Sequence, residues 1–170
     1  EERELSVDEC AGYLQKAINL LKSQTVASGS SEGTLKVIIT VSPIRYAKYG
    51  YHGSQLSKAT LLLAADKLVK ENPGVVSYFP AYEIMNDELR DYRFYKEDML
   101  HPSEQAVEYI WERFRATYFG KAAEQFLEDW RPIREALGHK PFHPESEEHQ
   151  KFIARTEEKK RQFEEKYHLL

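Results

Sequence analysis

The chain has 170 residues, of which 41% are hydrophobic and 31% are charged. This composition is typical of a folded globular protein and excludes a disordered chain. The formal net charge of -4 disfavours nucleic acid as the main partner, because proteins that bind a phosphate backbone usually carry an excess of basic residues. No apolar run approaches the roughly 18 residues that a membrane-spanning helix requires, so no membrane partner is expected. Cys10 is the only cysteine, which excludes an internal disulfide and is consistent with a reducing compartment such as the cytoplasm.

The first predicted element is an amphipathic helix over residues 6–24. Ser6 and Glu9 have the spacing of a capping box, in which each side chain accepts a hydrogen bond from the other residue's backbone amide. Apolar side chains then recur at helical spacing from Cys10 to Leu21. The chain opens Glu-Glu-Arg-Glu without an initiator Met, so we expect it to be a piece of a longer protein.

The next predicted elements are a strand, a helix and a second strand. Residues 35–41 are apolar or β-branched at nearly every position, which predicts a strand that is covered on both faces. A helix over residues 55–71, capped by Ser54, precedes a second strand over residues 75–79. This order is typical of a parallel α/β sheet.

The rest of the chain is predicted to be helical. Pro102 lies in the favoured first turn of a third helix, whose buried stripe is expected to consist of Val107, Ile110, Trp111, Phe114 and Tyr118. From Lys121 onward the charge density rises, and we expect a helix over 124–137, bent or split by Pro132, and a long charged helix over 146–167. We therefore divide the chain into an α/β domain, residues 1–120, and a helical C-terminal extension, residues 121–170.

Polar residues follow the carboxyl ends of both predicted strands, where parallel sheets bind ligands. Ser42 and Arg45 come after the first strand and Tyr82 after the second, and we expect these three residues to line a substrate site. Arg45 is suited to an anionic group of the substrate. Further candidates are the tyrosines of the 46–51 loop, which would stack on a sugar ring or form a lid. Arg90 and Arg93 would bind an anionic substrate group or, as we favour, pair with Asp91. Glu83 would line the site or anchor one of the arginines.

Asp98 and His101 are the strongest candidates for chemistry. An Asp three residues before a His can fold back within one turn, so that its carboxylate reaches Nδ1 and leaves Nε2 free to act as a base. His101 also lies at the predicted helix N-cap, whose positive end disfavours imidazolium, and Asp98 would offset that effect. In the alternative interpretation, Asp98 is a turn residue and His101 a capping side chain. His139 and His143 have a metal-ligand spacing, but they flank Pro141 in a predicted loop without a third ligand, so no metal is expected.

Five short segments of the chain occur in a characteristic order: Val41–Arg45, Ser57–Ala59, Tyr78–Ile84, Leu89–Tyr95 and Asp98–Ser103. This succession resembles the C-terminal half of the GSCFA-domain family, a group of bacterial proteins similar to SGNH hydrolases. The resemblance is dense from Lys36 to Phe119 and thinner in the tail. It implies a three-layer, flavodoxin-like α/β fold with a parallel sheet, like that of SGNH hydrolases, whose N-terminal strands this chain lacks.

By the same resemblance, Asp98 and His101 match the Asp-x-x-His block that provides the acid and the base of the SGNH triad. The family's Gly-Ser-Cys-Phe-Ala motif, expected to carry the nucleophilic serine, does not occur in this sequence. The resemblance therefore implies a fragment of a serine hydrolase that is inactive by itself. The implied reaction is hydrolysis of an acyl ester, with an acylated carbohydrate as the candidate substrate and no cofactor.

Two functions of other classes compete with the hydrolase. The fold could be a non-catalytic binding or assembly module, in which Asp98 and His101 only stabilise a loop. An RNA-binding surface of Tyr and Arg at residues 90–95 is the weaker alternative, because the net charge is negative. Since a two-stranded sheet leaves open edges, we also expect the chain to form a homodimer through them.

Overall fold

The computed structural model describes residues 3–27, 35–141 and 145–169, and it divides into two compact units, Glu1–Phe114 and Arg115–Leu170. The helices and strands, in chain order, are α1 (Val7–Ala27), β1 (Val37–Ile39), α2 (Gly50–Glu71), β2 (Val76–Tyr78), α3 (Ala81–Glu83), α4 (Glu104–Tyr118), α5 (Lys121–Gly138) and α6 (Glu147–Lys166). Short 3₁₀ turns cover Ala47–Tyr49 and Tyr92–Phe94, and a π-helix covers Ile84–Leu89. None of the helices in the described ranges is both long and apolar enough to span a membrane.

The capping box predicted at the start of α1 is confirmed. The Ser6 backbone amide donates to Glu9 Oε2 at 2.9 Å, and the Glu9 amide donates to Ser6 Oγ at 3.2 Å. The helix then packs against α2, and together they form most of the core of the first unit. The buried residues of that core are Ala11, Ile18, Ala64, Leu68 and Val76.

β1 and β2 form the predicted parallel pair, with Val37 opposite Val76 and Ile39 opposite Tyr78. The prediction that β1 is covered on both faces was wrong. Val37 and Ile39 pack against the α1–α2 core, but Ile38 points to the other face and is 38% exposed. Within the described residues each strand pairs only with the other, so each keeps one open edge. Association of two chains through these edges stays a prediction.

The expected three-layer, flavodoxin-like fold was wrong for the part of the chain that the structure describes. The sheet has two strands, and helices account for 71% of the structure. After β2 the chain continues through α3, a π-helix and three long helices, without another strand among the described residues. A parallel sheet of this width cannot separate two helical layers, because its two faces are too narrow to hold them.

The long helices of the first unit begin at different residues from those predicted. α2 starts at Gly50, so Ser54 lies inside the helix, where its Oγ accepts a hydrogen bond from the Tyr46 amide at 3.1 Å. α4 starts at Glu104, after Ser103, whose Oγ accepts from the Ala106 amide at 3.3 Å. His101 is therefore not the N-cap of α4, so the prediction that it lies at the positive end of this helix was wrong.

The predicted buried stripe of α4 was also partly wrong. Val107 is 56% exposed and Trp111 is 37% exposed, whereas the small residue Ala106 is fully buried. Phe114 does pack inward, with its ring edge-on to Phe79 at a centroid distance of 5.1 Å.

The second unit is built from α5 and α6, which pack against each other. α5 runs through Pro132 without being split. Ser146 caps α6, the predicted long charged helix, with its Oγ accepting from the His149 amide at 3.2 Å. Phe163 is buried on α6, and its ring lies 4.9 Å from that of Phe126 and 5.1 Å from that of Trp130. This aromatic cluster is the core of the unit.

Candidate functional site

Asp98 and His101 lie at the tip of a loop that backbone hydrogen bonds close at its base. The Ser103 amide donates to the Phe94 carbonyl at 2.7 Å, and the Lys96 amide donates to the His101 carbonyl at 2.8 Å. Tyr95 and Pro102 form an antiparallel bridge between the two ends of the loop. These bonds hold residues 96–101, which we call the 96–101 loop, in one conformation.

The Asp98 carboxylate folds back on the residues that follow it. Its Oδ1 accepts hydrogen bonds from the Leu100 amide at 2.8 Å and the His101 amide at 3.0 Å, and its Oδ2 lies 2.6 Å from His101 Nδ1. Met99, between them, has a φ of 59°, the left-handed conformation that reverses the chain. The contact between carboxylate and Nδ1 that the Asp-x-x-His spacing predicts is present, and its catalytic role stays a prediction.

The hydrogen bonds to Asp98 also set its charge. The backbone amides of His101 and Leu100, followed by the His101 imidazole, lower the pKa of the Asp98 carboxyl to about 2. An ionised carboxylate only accepts hydrogen bonds, so in the neutral imidazole Nδ1 carries the hydrogen and Nε2 has the lone pair of a base. The side chains of His101 and Asp98 are 52% and 44% exposed, so a substrate can reach the imidazole. No serine hydroxyl in the described ranges is hydrogen-bonded to His101.

Arg45 contacts the 96–101 loop twice. Its backbone amide donates to the Leu100 carbonyl at 3.0 Å, and its Nη1 donates to the Met99 carbonyl at 3.1 Å. The guanidinium also lies over the rings of Tyr51 at 4.5 Å and Tyr95 at 5.5 Å. Sequence reasoning placed Arg45 in the site as a substrate ligand but missed that it braces the loop carrying Asp98 and His101.

Ser42 and Tyr82, the other two predicted substrate residues, both contact the side chain of Lys58. Lys58 Nζ donates to the Ser42 carbonyl at 2.6 Å and lies 5.9 Å from the centre of the Tyr82 ring. The lysine is buried, and burial lowers its pKa. Sequence reasoning missed Lys58, although its helical spacing from Ala65 and Leu68 places it on the buried face of α2.

The neighbouring polar residues resolve two alternatives that the sequence left open. Glu83 accepts from the Tyr78 hydroxyl at 2.9 Å, so it anchors a tyrosine and not an arginine. Burial and this carboxylate together raise the pKa of Tyr78. Asp91 contacts Arg93, with Oδ2 3.9 Å from Nε, whereas Arg90 forms no ion pair among the described residues. The predicted pairing with Asp91 therefore holds for one arginine only.

No cluster of three or more His, Cys, Asp or Glu side chains suited to a metal ion occurs in the part of the chain that the structure describes. His143, one of the two histidines with metal-ligand spacing, lies outside the described residues. His139 lies near an aromatic ring, with a centroid distance of 5.7 Å to Phe152.

Comparison with known proteins identifies the family. The sequence profile of the GSCFA family matches residues 1–114, and that of the GSCFA domain protein, C-terminal domain, matches residues 130–170. No curated protein and no solved structure matches the chain. The first match contains the 96–101 loop and all the residues that contact it, and because it spans more than half of the sequence, the chain belongs to the GSCFA family.

Proposed function

We propose that Asp98 and His101 are the acid–base pair of an acyl-ester hydrolase whose nucleophilic hydroxyl lies outside these residues. The observation that carries the proposal is the 2.6 Å contact between Asp98 Oδ2 and His101 Nδ1, on a half-exposed imidazole. Membership of the GSCFA family supports it, because the family is similar to serine hydrolases with an Asp-x-x-His block.

The reaction follows from the tautomer that Asp98 imposes. With the hydrogen on Nδ1, His101 Nε2 accepts the proton of a serine hydroxyl as that oxygen attacks the ester carbonyl. The imidazolium that forms is stabilised by the ionised Asp98 and then gives its proton to the leaving alcohol. Water attacks the acyl-enzyme in the second half of the reaction, with Nε2 again accepting the proton and returning it to the serine.

Arg45 acts in this mechanism as a positioning residue. Its two hydrogen bonds to the Met99 and Leu100 carbonyls hold the part of the loop that separates Asp98 from His101. Ser42 and Tyr82 remain the proposed substrate contacts, and an acylated carbohydrate remains the proposed substrate.

Hydrolysis of aryl acetates and acetylated sugars by the full-length gene product tests the proposal. We expect His101→Ala to lower turnover by about 10²–10⁴-fold, the usual contribution of a general base, while the protein stays folded. His52→Ala is the matched control, because His52 is an exposed histidine of α2 outside the proposed site. Equal turnover of the wild type and a folded His101→Ala variant would exclude His101 as the base. Absence of turnover with every ester would overturn the hydrolase.

A non-catalytic binding module is the second candidate function. This candidate is favoured by the two hydrogen bonds that Asp98 Oδ1 accepts from the Leu100 and His101 backbone amides. These bonds stabilise the loop whether or not any reaction occurs. In that case Asp98→Ala, which removes the oxygen that accepts from both amides, would lower the thermal stability of the first unit, and the full-length gene product would hydrolyse no ester. The same pair of measurements therefore separates the two functions.

A further inference from the structure

An open cavity of 270 Å³ lies in the first unit, beside the residues that hold the 96–101 loop. It is lined by Arg45, Gln55, Met85, Asn86, Arg90, Asp91, Tyr92 and Tyr95. Arg45 belongs both to this cavity and to the brace of the loop, because its Nη1 donates to the Met99 carbonyl. Its volume lies just below the range for drug-sized ligands, roughly 300 Å³ and above, so we expect a smaller ligand such as a single sugar ring.

The cavity contains two arginines without a carboxylate partner among the described residues. Arg45 donates one hydrogen bond, to the Met99 carbonyl, and keeps its other guanidinium donors. Arg90 is exposed, and its side chain forms no hydrogen bond or ion pair with the residues that the structure describes. The one acidic residue of the lining, Asp91, already accepts from the Arg93 amide at 2.9 Å and contacts its guanidinium. The cavity is therefore a site for a negative charge.

An aromatic ring and two amides complete the lining. Tyr92 is 65% exposed, with the Arg45 guanidinium over its ring at 6.0 Å, so a ligand would stack on the other face of the ring. Gln55 uses its carbonyl oxygen to accept from the Tyr82 hydroxyl at 2.8 Å, which leaves its amide donors unused within the described residues. Asn86 donates to the Tyr82 carbonyl at 2.7 Å and keeps its own carbonyl oxygen as an acceptor. An aromatic face with unused amide donors and acceptors suits a ring that carries hydroxyl groups.

We propose that this cavity binds a sugar ring that carries a carboxylate. Arg90 and Arg45 would bind the carboxylate, Gln55 and Asn86 the hydroxyl groups, and Tyr92 would stack on the apolar face of the ring. A planar carboxylate matches the fork of a guanidinium in a bidentate pair. As the substrate subsite of the hydrolase the cavity rests on the proposed function, whereas binding of the sugar does not.

Titration of the 170-residue chain with D-glucuronate, followed by ¹H–¹⁵N NMR, tests the proposal. Glucose, acetate and inorganic phosphate are titrated in parallel, to separate the sugar ring from the charge. We expect glucuronate to bind about tenfold more tightly than each of the other three, a difference of about 1.4 kcal/mol. The shifted amide signals should include those of Gln55, Asn86 and Tyr92.

Three variants assign the binding to this cavity. Arg90→Gln and Tyr92→Ala should each weaken glucuronate binding by about fivefold or more, since they remove a charge-assisted hydrogen bond and the stacking ring. Lys96→Gln is the control, because Lys96 is an exposed cation next to Tyr95 that does not line the cavity, and its side chain forms no hydrogen bond or ion pair with the described residues. This variant should leave the affinity unchanged.

Three other binding results would contradict the proposal, and the hydrolysis assay separates its failure from that of the proposed function. If glucose binds as tightly as glucuronate, the carboxylate contributes nothing to the affinity. If acetate or phosphate binds as tightly as glucuronate, the cavity is an anion site without sugar specificity. Absence of saturable binding of glucuronate in the millimolar range would overturn the site altogether. If glucuronate binds but the full-length gene product hydrolyses no ester, the proposed function fails and the sugar site stands. If hydrolysis depends on His101 but no sugar binds, only the sugar site fails.

Discussion

Two aspartates, one in each compact unit, have a pKa of about 2, and they reach it in different ways. Asp98 in the first unit is held ionised mainly by the backbone amides of His101 and Leu100. Asp129 in the second unit is held ionised mainly by side chains, first the Lys166 ammonium and then the Tyr167 hydroxyl. The Lys166 and Tyr167 contacts measure 2.6 Å and 2.5 Å.

The same low carboxyl pKa has a different meaning in the two units. Asp129 joins α5 to α6 beside the aromatic cluster. Its partners are the Lys166 ammonium and the Tyr167 phenol, and the hydrogen bonds to Asp129 raise the pKa of both, so neither is a base at neutral pH. Asp98 instead orients an imidazole whose second nitrogen is left as a base. A low carboxyl pKa is therefore a sign of strong pairing, and it marks a functional site only where the partner itself has chemistry to perform.

We expect substitution of the two aspartates to differ most in its effect on ester hydrolysis. Asp98→Asn should lower ester hydrolysis by the full-length gene product about 100-fold or more, because a neutral amide no longer imposes the Nδ1–H tautomer on His101. Asp129→Asn should leave turnover unchanged and lower the melting temperature instead. Turnover and thermal unfolding measured on both variants check this. An equal loss of turnover in the two would contradict the distinction between a functional and a structural aspartate.

The cores of the two units should respond separately to loss of a buried side chain. Leu68 is 0% exposed in the first unit and Phe163 is 6% exposed in the second. We expect Leu68→Ala to destabilise α1 and α2 by about 2–5 kcal/mol and Phe163→Ala to destabilise α5 and α6 by about 3–5 kcal/mol. Native-state hydrogen exchange resolves the opening of each helix. Unchanged protection of α5 and α6 in Phe163→Ala would show that the aromatic cluster is not their core.

Acid titration should affect both aspartates in the same pH range, and salt should separate them. The folded pKa of Asp98 is about 2, below the value of about 3.9 in an unfolded chain, so its carboxylate stabilises the folded loop above about pH 4. That contribution is lost progressively as the pH falls towards 2. NMR titration of the carboxyl carbons measures both groups. High salt should raise the pKa of Asp129, which depends on the exposed Lys166, more than that of Asp98. The opposite order would contradict a backbone origin for the low pKa of Asp98 and a side-chain origin for that of Asp129.

The smallest expected effect concerns the helix caps, one in each unit. Ser6→Ala removes the oxygen that accepts from the Glu9 amide, and Ser146→Ala removes the one that accepts from the His149 amide. Each should cost about 1 kcal/mol of stability, measured by urea denaturation. Ser57→Ala, at an exposed position inside α2, is the control and should change stability far less.

Sequence reasoning was most successful where the interaction is local. The Ser6–Glu9 capping box and the Asp98–His101 contact each join residues three positions apart, so the chain needs no other segment to form them. The pairing of β1 with β2 also followed from the order of the elements. The expected three-layer fold was wrong, because a favourable order of strands and helices does not determine how many strands a sheet contains.

Contacts between distant segments were the ones that sequence reasoning missed or misjudged. Arg45 braces the carbonyls of Met99 and Leu100, Lys58 is buried against the Ser42 carbonyl, and Ile38 is exposed on a strand that was expected to be covered. Each outcome depends on which segments pack together, and a side chain's own neighbours in the chain carry no information about that.

The Asp98–His101 contact and the Ser6–Glu9 capping box could therefore be predicted from the sequence, because each joins side chain and backbone within a single turn. The packing of distant segments was needed to place Arg45 both against the Met99 and Leu100 carbonyls and in the lining of a cavity. That cavity is assembled from α2, the π-helix and the 90–95 segment, with two arginines that the acidic residue beside them does not neutralise. The shape of this cavity and the placing of its two arginines depend on how distant segments of the chain pack together, so both exist only in the folded chain.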